Sequence, residues 1–366
     1  MASVQRRPDG RWRARYRDAG DKEHARHFAR KADAERWLDG VRSDLVRGTY
    51  VDPAAGRVLF ADFARVWLDA QPHRAGTALL YERTLRLHVH PRIGDRPLSA
   101  VRRSDIQALI TSSGQHLAPK TVENHFRLIK AIFSAAVEDQ LIAVSPCRKI
   151  ARQPVAASRV VPLSVDQVER LVAATPQNFR ALIVTAVGTG LRQGEALGLR
   201  GQDVDFLRRE VHVRHQLVSV PGVKAHLGPP KTASSLRTVP APAFVLEALS
   251  EHVRLFAPGP FEMIFSNTRG SAVNRQSLHR SLAAALRAAG LPAGITFHQL
   301  RHTYASLLID GGESVTVVAD RMGHKNAIET LQTYSHLWPS SDDKTRQVLD
   351  KAFATVQVLH AGSAQR

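Results

Sequence analysis

Apolar and polar residues alternate strictly in "GRWRARYR", Gly10 to Arg17, with Trp12, Ala14 and Tyr16 on one side and Arg11, Arg13, Arg15 and Arg17 on the other. That period of two predicts a half-exposed strand. "PDG" before it has turn chemistry, and "HARHF" after it predicts a further strand. "KADAERWLDGVRSDLVRG" then spaces Ala34, Trp37, Leu38, Val41 and Leu45 for one face of a helix closed by Gly48. Residues 1–50 therefore predict a small sheet backed by one helix.

"TYVDPAAGRV" is a linker by its Pro and Gly content. From Phe60 the period becomes helical. Phe60, Phe63 and Trp67 share a face, as do Leu80, Tyr81, Thr84 and Leu85. "SDIQALI" opens on a Ser104/Gln107 capping box, and Val122, Phe126, Ile129, Phe133 and Val137 form one stripe. Residues 58–145 thus predict a bundle of about four helices. "SPCRKIARQPVAASRVVP" predicts an extended connector over 146–160. A second capping box, Ser164/Gln167, starts a domain over 161–340, mainly helical with a strand-rich insert. "REVHVRHQLVSV" and "LRTVP" should frame a hairpin around "KAHLGPPKTASS". In the tail, 341–366, Leu349, Phe353 and Val356 line up as an apolar stripe. The fold class is multidomain, mainly α with small β-sheets.

Composition adds a partner. The chain has 366 residues, 43% of them hydrophobic, and 51 Lys and Arg against 33 Asp and Glu, a formal charge of +18. Such an excess repels itself unless a polyanion meets it, which puts nucleic acid first. A membrane surface fits less well, because no strongly apolar helix is edged with lysines. The longest apolar run, "ALIVTAV", is too short for a bilayer, and no signal-peptide core follows the early arginines. One cysteine, Cys147, excludes an internal disulfide and a cysteine-rich zinc site. The expected setting is reduced, soluble and cytoplasmic. Arg11, Arg13, Arg15 and Arg17 could form a merely solvated face, but four arginines in period two on so small a sheet favour DNA contact. Arg127 and Lys130 on the bundle, and Arg148 and Lys149 in the connector, extend that basic surface.

The candidate chemistry lies in the last domain. In "TGLRQGEALGLR", Gly190 stops one helix and Arg192 opens the next, with Glu195 placed to hold the guanidinium. Lys231 sits in the insert. His298 and Arg301 share a helix face in "HQLRHTYAS", His324 follows a helix ended by Gly323 in "RMGHKN", and Tyr334 lies in "TLQTYSHL". Singly, each has a plain structural explanation. His298 and His302, four apart, could instead be zinc ligands. However, Gln299 stands where a zinc protease would carry glutamate, and no clear third ligand appears.

Together the residues answer one need. Cutting a phosphodiester without water takes a side-chain oxygen that bonds to phosphorus. Tyrosine suits this, since phenolate leaves well and the step reverses. Its pKa of ~10 means that nearby positive charge and a proton acceptor must activate it. Two arginines can grip the non-bridging oxygens, and a mobile lysine can protonate the departing 5′ oxygen. A two-metal nuclease would need clustered carboxylates, of which this region shows few. No metal or cofactor is expected.

Those boxes ("TGLRQGEALGLR", "PPKTASSLRTVP", "HQLRHTYAS", "MGHKN" and "TLQTYSHL"), in this order and spacing, resemble the tyrosine recombinases of the phage-integrase type over roughly residues 58–350. The resemblance implies that Arg192, Lys231, His298, Arg301 and His324 assemble around the scissile phosphate and that Tyr334 is the nucleophile. Lys231 would be the general acid, and His298 and His324 would orient the phosphate or move protons. Glu195 would steady Arg192. It also implies a 3′-phosphotyrosyl intermediate, a Holliday junction, and no need for ATP. Tyr304 is not at the family's nucleophile position and reads as a buried helix residue. Met322 replaces a leucine common in relatives.

"RRPDGRWRARYRDAG…ARHFARKADAERWL" resembles the three-stranded arm-binding domain of integrases. That implies a mobile-element integrase, with an arm-type domain at 1–50, a core-binding domain at 58–145 and an α+β catalytic domain at 161–340, the latter two forming a C-shaped clamp. The implied partners are double-stranded DNA with core and arm-type sites, and three further copies in a tetramer whose tail helices dock on neighbours. A host DNA-bending protein and an excision factor are also implied. The alternatives are relaxation of supercoils in the manner of type IB topoisomerases, a chromosome- or plasmid-resolving recombinase, and a DNA-binding protein without activity.

Overall fold

In the computed structural model, the alternating arginine segment is the middle of three antiparallel strands, β1 (Ser3–Arg6), β2 (Trp12–Arg17) and β3 (Glu23–Phe28), in the order β1-β2-β3. The structure describes residues 2–18, 20–47, 50–52, 54–156, 159–267, 269–338 and 342–353. The chain divides into two units, Met1–Ala157 and Ser158–Arg366.

In the first unit, Ala14 and Tyr16 are buried against α1 (Lys31–Arg47), whose Ala34 and Leu38 face them. The opposite side keeps the arginines in solvent, with ion pairs from Arg13 and Arg15 to Glu23 and from Arg17 to Asp21. Gly48, expected to close α1, lies outside the described residues. Tyr16 and Tyr50 share a hydrogen bond of 2.7 Å between their hydroxyls.

The helical part begins with α2 (Phe60–Ala70) and α3 (Ala75–Thr84), which continues into a π-helical segment, Leu85–Gly94. Helices α4 (Arg103–Gly114) and α5 (Pro119–Glu138) complete it. Phe60, Ile106, Ile129 and Phe133 are fully buried among them. Two local readings need correction. Leu80 is exposed, whereas Thr84 and Leu85 are buried, so the buried face of α3 lies one residue further round. Ser104 is not the cap of α4. The cap is Arg102, two residues earlier, and the Asp105 carboxylate accepts its N–H at 2.7 Å, a charged acceptor at the positive helix end. Gln107 instead exchanges two hydrogen bonds with the backbone of Ala151. Arg127, Lys130, Arg148 and Lys149 are exposed.

The second unit opens with α6 (Val165–Ala174), capped reciprocally by Ser164 and Gln167. It continues with α7 (Gln177–Thr189) and the short α8 (Gln193–Leu197). The expected single hairpin is two nested pairings. Strands β4 (Val204–Asp205), β5 (Glu210–Val213) and, further on, Arg237–Pro240 form one antiparallel sheet. Between them β6 (Gln216–Val218) and β7 (His226–Gly228) form a separate pair, which makes Arg237–Pro240 the eighth strand, β8. The chain leaves strand conformation at Arg214 and His215, between β5 and β6, and each strand pairs in its own ladder. Helices α9 (Ala243–Leu255), α10 (Arg275–Ala288), α11 (Phe297–Asp310), α12 (Val315–Met322) and α13 (Ala327–Tyr334) follow, then α14 (Asp342–Ala352). The core runs through Leu182, Leu191, Val211, Val239, Phe265 and Leu300. Among the described residues no helix is long and apolar enough to cross a membrane.

Candidate active site

Two helix ends build the floor of the site. Helix α7 ends at Gly190 (φ 63°) and α12 at Gly323 (φ 60°), both left-handed, a conformation that costs a side-chain-bearing residue but not glycine. A Cβ on Gly190 would lie 2.3 Å from the ring of Tyr304, which is buried as a packing residue of α11. The turns leave helix C-terminal carbonyls unpaired within their helices, and two arginines take them up.

Arg301, 1% exposed, donates to Gly190 O at 2.5 Å and also to Met322 O. Arg192, the residue before α8, donates to Gly323 O at 2.9 Å, to Glu195 Oε1 at 2.9 Å and to Ser235 Oγ at 3.0 Å. Negative helix ends therefore stabilise both cations. Glu195, 3% exposed, also accepts the Arg192 N–H and Arg237 Nη2, both at 3.0 Å. Burial pushes the Glu195 carboxyl up, but Arg237 and Arg192 outweigh it and hold the group below the ordinary range. It is a carboxylate at neutral pH, shared by two guanidiniums. Burial, with Arg192 and Arg237, pushes Arg301 down to about 9, still protonated at neutral pH.

Tyr334, the last residue of α13, is 1% exposed. Burial pushes its phenol up to about 12 against the pull of the Arg301 charge. Its oxygen lies 2.6 Å from His302 Nδ1. His324 follows the α12 turn, with Nδ1 2.7 Å from Thr330 Oγ1, and burial together with Arg301 lowers its pKa. His298 lies one helical turn before His302, ring centroids 4.6 Å apart. It is solvent-exposed and borders a cleft of about 670 Å³ lined also by Gln193, Arg275, Gln276, His279 and Arg280.

Of the residues singled out from sequence, the fold thus gathers Arg192, Glu195, His298, Arg301, His324 and Tyr334 in one region. Lys231 lies on the exposed segment after β7. Its neighbour Thr232 bonds Ser235 at 2.8 Å, and Ser235 bonds Arg192, so the segment is tied to the pocket one residue from the lysine. The basic residues Arg11, Arg13, Arg15, Arg17, Arg127, Lys130, Arg148 and Lys149 all belong to the first unit. Sequence reasoning missed Ser235 and Arg237, which looked like ordinary strand flank, and His302, whose spacing to His298 suggested zinc. Four other features carry no sequence signal: the Thr330 contact, the double use of Glu195, and both carbonyl grips.

A positively charged pocket with a buried phenol is the chemistry of covalent phosphoryl transfer. Two family models match the chain: "Phage integrase family" over residues 162–340, and "Phage integrase, N-terminal domain" over residues 2–47. A putative prophage phiRv2 integrase of Mycobacterium tuberculosis is 26% identical over 357 residues, 93% of each chain. The Tn1549 transposon integrase in complex with a circular intermediate DNA superimposes with a TM-score of 0.70 at 25% identity, over 80% of this chain and 99% of that one. A lambda integrase from a tetramer bound to a Holliday junction gives a TM-score of 0.56 at 19% identity, over 89% and 96%.

Proposed function

Since this chain belongs to the phage-integrase type of tyrosine recombinases, enzymes of site-specific DNA recombination, we propose that Tyr334 is its nucleophile and that it joins DNA 3′ phosphates to itself. The phenol oxygen attacks the scissile phosphorus and forms a 3′-phosphotyrosyl bond. The 5′ oxygen leaves with a proton from Lys231. A 5′-hydroxyl of the partner duplex then reverses the step, and two rounds form and resolve a Holliday junction. Bond energy is kept in the phosphotyrosine, so no ATP is needed. Arg192 and Arg301 hold the non-bridging oxygens, His298 and His324 orient the phosphate, and Glu195 steadies Arg192.

One arrangement supports the reading: the buried Arg301 is held by two helix ends, and its chain neighbour His302 hydrogen-bonds the phenol that α13 delivers. A preorganised donor of this kind contributes about 3–4 kcal/mol to such a transition state. The test is a nicked suicide duplex carrying the site mapped from the element–host junctions beside the gene. Wild-type protein should be trapped covalently. Tyr334→Phe should bind with nearly unchanged affinity and give no adduct; an adduct with Tyr334→Phe would end the assignment.

The partners follow from the same reading. Double-stranded DNA is the substrate, bound through core-type sites by the bundle and connector, with Arg127, Lys130, Arg148 and Lys149, and through arm-type sites by Arg11, Arg13, Arg15 and Arg17. On this reading the chain comprises an arm-type domain (1–50), a core-binding domain (58–145), a linker (146–160), a catalytic domain (161–340) and a tail (341–366), of which residues 354–366 lie outside the described residues. The protein works as a cytoplasmic, nucleoid-associated homotetramer, assisted by a host DNA-bending protein and an excision factor. For the tetramer, Leu349 in α14 and Phe353 just after it are more than half exposed, and Val356 of the same stripe lies outside the described residues. A cleft of about 740 Å³ lined by Val165, Val168, Val172, Val184 and Phe244 offers a matching apolar receptor on the neighbouring copy. Leu349→Glu with Phe353→Glu should leave single-site cleavage intact and abolish synapsis in a gel-shift assay. Unchanged synapsis would remove the tail from the interface.

A further inference from the structure

The attacking phenol must lose a proton as its bond to phosphorus forms, and some group must receive it. His298 is exposed, and its ring meets that of His302, centroids 4.6 Å apart. The Nδ1 of His324 is engaged with Thr330 at 2.7 Å. His302 hydrogen-bonds the phenol directly, with Nδ1 2.6 Å from Tyr334 Oη. The two rings meet edge to face, with centroids 5.5 Å apart. We propose that His302 is the general base that takes the Tyr334 proton during strand cleavage and returns it during strand joining; this deepens, and rests on, the assignment of Tyr334 as nucleophile.

The geometry comes from two elements that fix the pair independently. His302 follows Arg301 on α11, so the residue that holds the phosphate also sets the position of its neighbour. Tyr334 arrives at the end of α13. A proton can pass only to a vacant lone pair, and the surroundings keep one vacant. Burial first, then His298 and Arg301 on the same helix and His324 beyond α12, hold His302 down to about 4. At neutral pH the imidazole is therefore uncharged and can carry its hydrogen on Nε2 with Nδ1 free to accept. The pKa gap to a phenol at about 12 makes transfer ahead of attack unfavourable. The proton accordingly moves as the oxygen–phosphorus bond forms, when the phosphate's negative charge favours an imidazolium.

The step balances as follows. The Tyr334 O–H bond breaks and its proton goes to His302 Nδ1, while the phenol oxygen's electron pair forms the bond to phosphorus. The P–O5′ bond breaks with its pair on O5′, which takes a proton from Lys231 Nζ. In strand joining the incoming 5′-hydroxyl gives its proton to Lys231, and the leaving phenolate recovers one from the His302 imidazolium.

A residue that merely held the ring in place could be replaced by another acceptor, and the test uses that difference. Adduct formation on the nicked duplex is timed for full-length wild type, His302→Ala and His302→Asn across pH, with thermal unfolding and duplex binding measured alongside. The Asn amide can accept the phenol's hydrogen bond and cannot take its proton. A base role predicts that both variants cleave on the order of 10²–10⁴-fold more slowly at neutral pH. The defect should shrink as pH rises, added imidazole should restore part of the His302→Ala rate, and duplex binding should stay unchanged. A duplex whose bridging 5′ oxygen is sulfur, which departs without a proton, should rescue Lys231→Ala and leave His302→Ala slow. Full activity in His302→Asn, a defect constant across pH, or rescue of His302→Ala by the sulfur substrate would overturn the proposal. If a variant unfolds below assay temperature, the wild-type rate decides: it should decline with decreasing pH as the DNA-bound imidazole protonates, and a flat acid limb would overturn it. Absence of any wild-type adduct, or an adduct with Tyr334→Phe, would instead refute the nucleophile assignment and is read separately.

Discussion

Arg192 and Arg301 carry the same formal charge in different surroundings, and their variants should fail differently. The Arg192 side chain is 27% exposed, and its loss leaves Glu195 still paired with Arg237 at 3.0 Å. Arg192→Ala should therefore keep most of the protein's thermal stability and its affinity for the site, while cleavage falls by on the order of 10²–10³-fold. Arg301 is 1% exposed and holds the carbonyls of Gly190 and Met322. Arg301→Ala leaves two buried acceptors unpaired at about 1–3 kcal/mol each, so the melting temperature should fall together with cleavage. Calorimetry beside adduct timing separates the two, and equal melting temperatures would show that the Arg301 grips on Gly190 and Met322 stabilise no more than the Arg192 grip on Gly323. The sequence named both arginines but did not distinguish these roles, because the difference lies in contacts 111 and 131 residues away. His302 was left without a role for a related reason: spacing of four along a helix suits a metal as well as a row of side chains, and only the arrival of Tyr334 from another helix decides.

At the scale of elements, the most legible features were those written in local backbone chemistry. Gly190 and Gly323 read as helix stops from sequence, as did the reciprocal cap of Ser164 and Gln167, because each needs only neighbours in the chain. The Ser104 cap failed because Asp105 competed for the same helix start, and propensity alone does not rank two acceptors one residue apart. The double pairing of the insert was hidden because Arg214 and His215 extend the apparent alternation of β5 towards β6. Gly190 also offers a test. Gly190→Ala forces a left-handed alanine, at about 1–2 kcal/mol, and drives its Cβ to 2.3 Å from the Tyr304 ring. The turn must shift, and the Arg301 grip on its carbonyl shifts with it. Expected are a lower melting temperature and a cleavage loss greater than the stability loss explains. Gly190→Ala paired with Tyr304→Ala, which removes the clash, should recover part of the activity; no recovery would place the cause in the backbone alone.

For the whole molecule, the excess of 18 positive charges reads directly as a polyanion-binding surface, but charge counted along a chain overstates what a phosphate backbone can use. Several arginines in the first unit already face carboxylates. Glu123 accepts from Arg127 at 3.0 Å and from Arg152 at 2.9 Å, and Glu23 takes both Arg13 and Arg15. Surface pairs of this kind contribute only about 0–1 kcal/mol to stability. Their larger effect is on DNA affinity, because each carboxylate repels the backbone that its arginines would meet. Affinity should fall steeply with salt, by roughly 10³–10⁵-fold between 50 and 200 mM if six to ten phosphates are neutralised. Glu123→Gln removes one such carboxylate without touching the second unit. It should raise affinity for DNA of any sequence and steepen the salt dependence by about one to two phosphate contacts. The cleavage rate of the bound site should not change, and the advantage of the cognate site over random DNA should narrow. Filter binding across a salt series measures this. An unchanged slope would mean that Arg127 and Arg152 do not lie against the phosphates, and would move the basic surface of the bundle elsewhere.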